Sequence, residues 1–226
     1  MKKVLCLNKI SPIGLKTLPH NYEVTSEINE ADAILVRSAV MHEMVLPDNV
    51  VAVARAGAGV NNIPLDAYAK AGVVVFNTPG ANANAVKELT IAGMLLAARD
   101  IHGGMKWVEA NKDDVEINKN MEKAKAAFAG TEILGKTIGI FGLGAVGTLV
   151  AQGAYGMGMS VAAYEPSQTT IDKNRDLFPA GLRLVASADE LYTAADYISL
   201  NVPLLPATKG MINRESIAKM KDGVVI

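Results

Sequence analysis

Three glycines at a fixed spacing carry the clearest chemical signal in this chain. The stretch Thr137-Ile-Gly-Ile-Phe-Gly-Leu-Gly-Ala-Val-Gly-Thr148 holds Gly142-x-Gly144-x-x-Gly147 between an apolar run and a helix-forming run. In the order strand, turn, helix, each glycine has its own task. Gly142 allows the tight turn, Gly144 lets backbone approach a pyrophosphate, and Gly147 lets the helix pack close on the strand. The helix start at Ala145, Val146 and Gly147 then offers unpaired N–H groups to an anion. A second apolar run, Met159–Tyr164, ends at Glu165-Pro166. That is roughly the twenty residues on at which an acid receives the ribose hydroxyls. A glycine turn that serves only the sheet is the alternative, but strand, turn, helix, strand and terminal acid together point to a dinucleotide. A carboxylate at Glu165 repels a 2′-phosphate, and the Pro-Ser-Gln-Thr-Thr that follows supplies no Arg to hold one. NAD is therefore expected rather than NADP.

Two arginines form the second candidate group. Arg37 closes the apolar run Ala33–Val36, and Arg55 follows Val50–Ala54 just before a glycine-rich turn. In open parallel sheets the carboxyl ends of strands are where ligands bind, and a planar guanidinium suits phosphate or carboxylate. Taken without other information, both could equally be ordinary surface charges. No metal site is expected, since Cys6 is the only cysteine and lies in an apolar run. The three histidines read as surface residues: His20 in a Pro-His-Asn turn, His42 near the start of a polar helix, His102 beside Gly103-Gly104. Asp113, Asp114 and Glu116 read as solvated charges.

These residues need a scaffold, and the chain supplies one. Half of its 226 residues are hydrophobic and its formal net charge is -1, so it can bury a core and has no long-range attraction for nucleic acid or an anionic membrane. The apolar start is too short for a signal sequence, and Leu89–Ala98 is too short for a membrane span. A cytoplasmic protein with no nucleic-acid or membrane partner is expected. Short apolar runs at Lys3–Leu7, Ala33–Val36, Val50–Ala54 and Val73–Phe76 alternate with polar or helical patches, which predicts an α/β fold with a parallel sheet. A helix is predicted from about Ala85 to Arg99, with Val86, Leu89, Gly93 and Leu96 near one face and Gly93 in close contact with another backbone. Residues 100–130 are charged, hold Trp107, and read as helix and loop. They are either a solvated surface or an arm that packs on a second subunit around Trp107 and Phe128. A second strand–helix series follows at Ile138–Phe141, Ser160–Tyr164, Leu182–Val185, Tyr197–Val202 and from Gly223. Two sheets in sequence predict two domains, 1–97 and 98–226, with a cleft between them as the ligand site.

Four further stretches turn this pattern into a resemblance: Val36-Arg-Ser-Ala39, Arg55-Ala-Gly-Ala-Gly-Val-Asn-Asn-Ile-Pro64, Phe76-Asn-Thr-Pro-Gly-Ala-Asn-Ala-Asn84 and Asn201-Val-Pro-Leu-Leu-Pro-Ala-Thr208. With the glycine turn, and in this order, the whole chain resembles the D-isomer-specific 2-hydroxyacid dehydrogenases. The resemblance implies a flavodoxin-like substrate domain, a doubly wound Rossmann NAD-binding domain, homodimerisation through the latter, and NAD-linked oxidation of a phosphorylated 2-hydroxy acid, 3-phosphoglycerate. It implies that Arg37, Ser38 and Arg55 face the substrate, that the backbone of Ala56, Gly57 and Ala58 holds its carboxylate, and that Asn82 contacts it. It also implies that Pro203 and Thr208 border the nicotinamide ribose and phosphates; a plain proline-bounded loop is the other reading.

The resemblance further implies a catalytic Arg, acid and His that come after the strand beginning at Gly223, and the sequence stops at Ile226. No catalytic residue is therefore expected within 1–226, the Rossmann sheet is expected to be incomplete at its C-terminal side, and this chain alone is expected to be inactive. The expected whole is an NAD-dependent dehydrogenase. The alternatives are an NAD-binding regulator of the same family without turnover, or an enzyme of the glyoxylate or hydroxypyruvate type.

Overall fold

The computed structural model describes residues 1–226, which form two compact units, Met1–Asn82 and Ala83–Ile226. In the first unit the elements run β1 (Lys2–Cys6), α1 (Pro12–Leu15), β2 (Tyr22–Thr25), β3 (Ala33–Val36), β4 (Ala52–Arg55), α2 (Leu65–Lys70) and β5 (Val74–Phe76). The sheet order is β2-β1-β3-β4-β5 and every pairing is parallel. This is the flavodoxin-like order. Register places Cys6 opposite Leu35 and Val36 opposite Arg55, so the carboxyl ends of β1, β3 and β4 lie in line. Ile34, Val36, Val53, Met41 and Tyr68 form the buried core. The runs read from sequence match β1, β3, β4 and β5 to within one or two residues. β2 has no counterpart among them, because Tyr-Glu-Val-Thr is an exposed edge strand with little apolar patterning to read. The polar helix expected at His42 is absent, and His42 sits in a turn.

The second unit begins with three helices, α3 (Ala83–Ala98), α4 (Ile101–Ala110) and α5 (Ile117–Ala124). A doubly wound series follows: β6 (Thr137–Phe141), α6 (Ala145–Gly156), β7 (Ser160–Tyr164), α7 (Gln168–Asn174), β8 (Arg183–Leu184), α8 (Ala188–Ala194), β9 (Tyr197–Leu200) and α9 (Arg214–Ile217). The parallel order is β8-β7-β6-β9, with a further parallel bridge from Tyr197 to Val225. Counted within this unit, the order 3-2-1-4 is that of a Rossmann sheet. β6 is central and almost wholly buried, as a strand covered on both faces should be. No helix is long and apolar enough to cross a membrane.

Two expectations about α3 change. From sequence the boundary between units falls at 97/98; in the structure it falls at 82/83, because Met94 and Ala98 of α3 pack into the same core as Val150, Ala151 and Ala154 of α6. The close backbone approach expected at Gly93 is not made. A Cβ on Gly93 meets nothing within 4 Å, and Gly93 lines an apolar groove with Met94, Tyr197 and Val225. On α6, a Cβ on Gly153 would meet the side-chain end of Ile91 of α3, with Cδ1 2.6 Å from where it would stand. The predicted face was thus rotated: Leu89 and Leu96 are exposed.

Candidate functional site

The glycine turn links β6 to α6, and its three glycines are there for different reasons. Gly142 has φ +86°, and a Cβ there would lie 2.8 Å from the Asn201 carbonyl oxygen and 2.9 Å from Val202 Cγ1. At Gly147 a Cβ would stand against the Gly142 carbonyl oxygen. The protein itself needs both glycines. Gly144 differs, since a Cβ there meets nothing within 4 Å and its φ of -70° is open to any residue. Gly144 is also the N-cap of α6, and no side chain caps that end. The turn therefore presents a bare backbone surface and uncapped N–H groups at Ala145 and Val146, which suits a pyrophosphate.

The turn is held from both sides. The Glu165 carboxylate accepts the N–H of Leu143 at 2.9 Å through Oε2 and the N–H of Ser167 at 2.9 Å through Oε1. The Leu143 carbonyl accepts from Thr148 Oγ1 at 2.9 Å and from Asn174 Nδ2 at 3.0 Å. Glu165 thus stands at the end of β7 beside the turn. Each of its oxygens uses one lone-pair position on backbone and retains another that can accept a further donor. Thr148 and Asn174 were not evident from sequence. Thr148 looked like one more helix residue, and Asn174 reaches the turn from 31 residues away.

Pro203 and Thr208 lie in the loop after β9, the strand beside β6. Thr208 Oγ1 donates to the Pro203 carbonyl at 2.6 Å and accepts the Leu205 N–H at 2.8 Å. Its hydroxyl thus closes the loop on itself, and the loop is shaped locally.

In the first unit, hydrogen bonds join the carboxyl ends of four strands. After β1, Asn8 Oδ1 accepts the consecutive N–H groups of Arg37, Ser38 and Ala39 at 3.0, 2.8 and 2.9 Å. The Arg37 carbonyl in turn accepts from Arg55 Nε at 3.1 Å. The Arg55 guanidinium lies against the next turn, with Nη1 2.7 Å from where a Gly57 Cβ would be. Thr78 Oγ1, after β5, accepts the Gly57 N–H at 2.8 Å, and Asn77 Nδ2 donates to the Ala58 carbonyl at 2.7 Å. Neither Arg37 nor Arg55 takes part in an ion pair.

Of the three amides expected to hold the carboxylate, two have acceptors within the protein. The Ala56 N–H extends the β3–β4 ladder by donating to the Val36 carbonyl at 2.8 Å, and the Gly57 N–H is taken by Thr78. The N–H groups left without a protein acceptor are those of Ala58, Gly59 and Val60. Asn82 is exposed in the turn before α3, and its side chain makes no hydrogen bond within the protein. Of the histidines, His42 Nε2 lies 2.8 Å from the Asn61 carbonyl oxygen, and none of the three pairs with a carboxylate. Asn8, Asn77 and Thr78 were missed from sequence, although the halt of the first apolar run at Asn8 marked a strand end, where ligands of open sheets bind.

Comparison with known proteins agrees with this geometry. A family model described as the NAD-binding domain of D-isomer specific 2-hydroxyacid dehydrogenases matches residues 91–226. A hydroxypyruvate reductase of Thermotoga maritima is 38% identical over 217 residues, covering 90% of this chain and 65% of the relative. A D-3-phosphoglycerate dehydrogenase of Mycobacterium tuberculosis is 35% identical over 237 residues, covering 99% of this chain and 42% of the relative. The chain thus spans between about two fifths and two thirds of the length of these relatives. Among solved structures, an NAD+-bound 3-phosphoglycerate dehydrogenase of Entamoeba histolytica superposes with a TM-score of 0.73 at 28% identity, over 99% of this chain and 70% of that one. Glycine turn, sheet order and family match converge: this chain belongs to the D-isomer-specific 2-hydroxyacid dehydrogenases and carries their NAD-binding domain.

Proposed function

We propose that the protein containing this chain oxidises 3-phosphoglycerate to 3-phosphohydroxypyruvate with NAD, the first step of serine biosynthesis. The unit Met1–Asn82 is assigned to the substrate and the unit Ala83–Ile226 to the cofactor. The observation that carries the substrate class is the pair Arg37 and Arg55, joined through the Arg37 carbonyl and free of any acidic partner. An acid with a second anionic group is what two such cations favour.

Held at the turn by the backbone of Gly144, Ala145 and Val146, NAD would supply the hydride acceptor for the carbon that carries the substrate hydroxyl. The chain's residues bind and orient. The backbone at Gly144, Ala145 and Val146 receives the pyrophosphate, and Glu165 accepts from the ribose hydroxyls. Arg37, with Ser38 beside it, and Arg55 hold the substrate phosphate. The free N–H groups at Ala58, Gly59 and Val60 receive the carboxylate, with Asn82 as a further donor. Pro203 and Thr208 shape the loop that borders the nicotinamide ribose. No residue here is assigned as the base for the hydroxyl proton, since no histidine is paired with a carboxylate.

The relative named hydroxypyruvate reductase favours a second reading, in which the substrate has no phosphate. Initial rates of NADH formation or consumption with 3-phosphoglycerate, hydroxypyruvate and glyoxylate decide between them. Preference for the phosphorylated acid supports the first reading, and preference for hydroxypyruvate supports the second. NADH binding with no turnover of any acid would instead indicate a regulator of the same family.

A second copy of this chain is the proposed partner. α4 and α5 bury no residue in the protein, yet Ile101, Met105, Val108 and Met121 are exposed on them. Such a set of apolar side chains suits an interface. Sedimentation should give the mass of a homodimer, and Met105→Glu should shift it to monomer.

A further inference from the structure

The turn after β3 is held by a side chain to which no function has been attached. Asn8 Oδ1 accepts three consecutive backbone N–H groups, from Arg37, Ser38 and Ala39, at 3.0, 2.8 and 2.9 Å. Three converging amides fix the orientation of the Asn8 side chain, because only its oxygen can accept. Consecutive N–H groups that converge in this way form a concave nest able to hold an anion. Here the nest is filled by a neutral amide oxygen of the same unit. An anion arriving at this sheet end is therefore left to the guanidinium groups.

We propose that Asn8 is a positioning residue that sets substrate specificity by holding the Arg37–Ala39 turn so that its carbonyl fixes Arg55. This rests on the reading of Arg37 and Arg55 as the anion site. The route is short: Asn8 fixes the N–H side of the turn, and the Arg37 carbonyl in the same turn receives Arg55 Nε at 3.1 Å. With Nε engaged, the fork of Nη1 and Nη2 has one orientation and no acceptor within the protein. Fixing the fork before the ligand arrives lowers the ordering cost of a two-point contact with phosphate. Without Asn8, water can satisfy the three exposed or half-buried N–H groups. The unit then keeps its fold while the turn loses its single arrangement.

The test is calorimetric titration of the full chain with 3-phosphoglycerate and with D-glycerate, in the presence of NADH, for Asn8→Ala, Asn8→Asp and Arg55→Ala. Asn8→Ala should lower affinity for 3-phosphoglycerate by about tenfold and leave D-glycerate and NADH nearly unchanged. Asn8→Asp keeps an acceptor whose charge is offset by three N–H donors, and should restore the preference. In ¹H–¹⁵N spectra the amide signals of Arg37, Ser38 and Ala39 should move in Asn8→Ala and return in Asn8→Asp. If Asn8→Ala does not fold, Asn8→Ser, too short to reach all three amides, takes its place. Unchanged preference in Asn8→Ala alongside a lost preference in Arg55→Ala would overturn the role of Asn8 and spare the anion site. A loss that Asn8→Asp does not reverse would also overturn it. Unchanged preference in Arg55→Ala would remove the anion site itself.

Discussion

Glu165 Oε2 accepts the backbone N–H of Leu143 at 2.9 Å, so the acid at the end of β7 is tied directly to the glycine turn after β6. One side chain thus shapes the turn and presents a carboxylate beside it. The two tasks separate by substitution. Glu165→Gln keeps an oxygen for Leu143 and removes the charge; it should relax discrimination against NADPH with a modest loss of NADH affinity. Glu165→Ala removes both, and loss of bonds to a charged group of about 1.5–3 kcal/mol corresponds to roughly a 10- to 150-fold weaker NADH. Fluorescence titrations with both cofactors read this, and an unchanged NADH preference in both variants would mean another residue receives the ribose.

Gly142 and Gly147 should be stability positions. Gly142→Ala forces a side chain into a positive φ and against the Asn201 carbonyl, and Gly147→Ala drives a Cβ onto the Gly142 carbonyl oxygen. Overpacking of this kind costs about 1–3 kcal/mol, and each kcal/mol lowers Tm by about 2–4 °C in a chain of this size. Thermal melts that match the parent for both variants would contradict the geometry of the turn.

Arg55→Ala should weaken binding of 3-phosphoglycerate by about tenfold or more while NADH affinity stays near that of the parent. Equal loss of both ligands would show that Arg55 supports the fold rather than the substrate.

Asp196 gives a pH dependence. Burial raises its pKa, but the Thr137 N–H and Lys221 outweigh that and hold the carboxyl below the ordinary range. A group depressed in the folded state adds stability above its unfolded pKa, near 3.8–3.9, and this is lost as pH falls through the folded value. Asp196→Asn should therefore melt below the parent at pH 6–7, and the two curves should converge below about pH 4. A gap that stays constant down to pH 3 would sink this assignment.

Much of the fold was legible because parallel strands buried on both faces are written as continuous apolar runs, as at Ile138–Phe141 and Ala33–Val36. The edge strand Tyr22–Thr25 was not, since neither of its faces is buried. The face of α3 was misread for a related reason: Leu89, Gly93 and Leu96 look like a core stripe, yet the helix buries Ala83, Met94 and Ala98. The glycine turn was legible because its demands fall on glycines at a local spacing. Its supports, Asn174 and Thr148, were not, because ordinary polar residues acquire those roles only through contacts that folding creates. Asn8 belongs with them, being 29 residues from the first amide it holds.

The central claim is that the Gly142–Gly147 turn receives the NAD pyrophosphate, and Gly144 tests it most directly. A Cβ at Gly144 meets no protein atom within 4 Å, and the backbone there suits any residue. The measurement is an NADH titration of Gly144→Ala beside its thermal melt. The account predicts a Tm within about 2 °C of the parent and NADH affinity reduced by about tenfold or more, because the methyl occupies space kept for the ligand. Parent-like NADH affinity in a variant with a parent-like melt would contradict it.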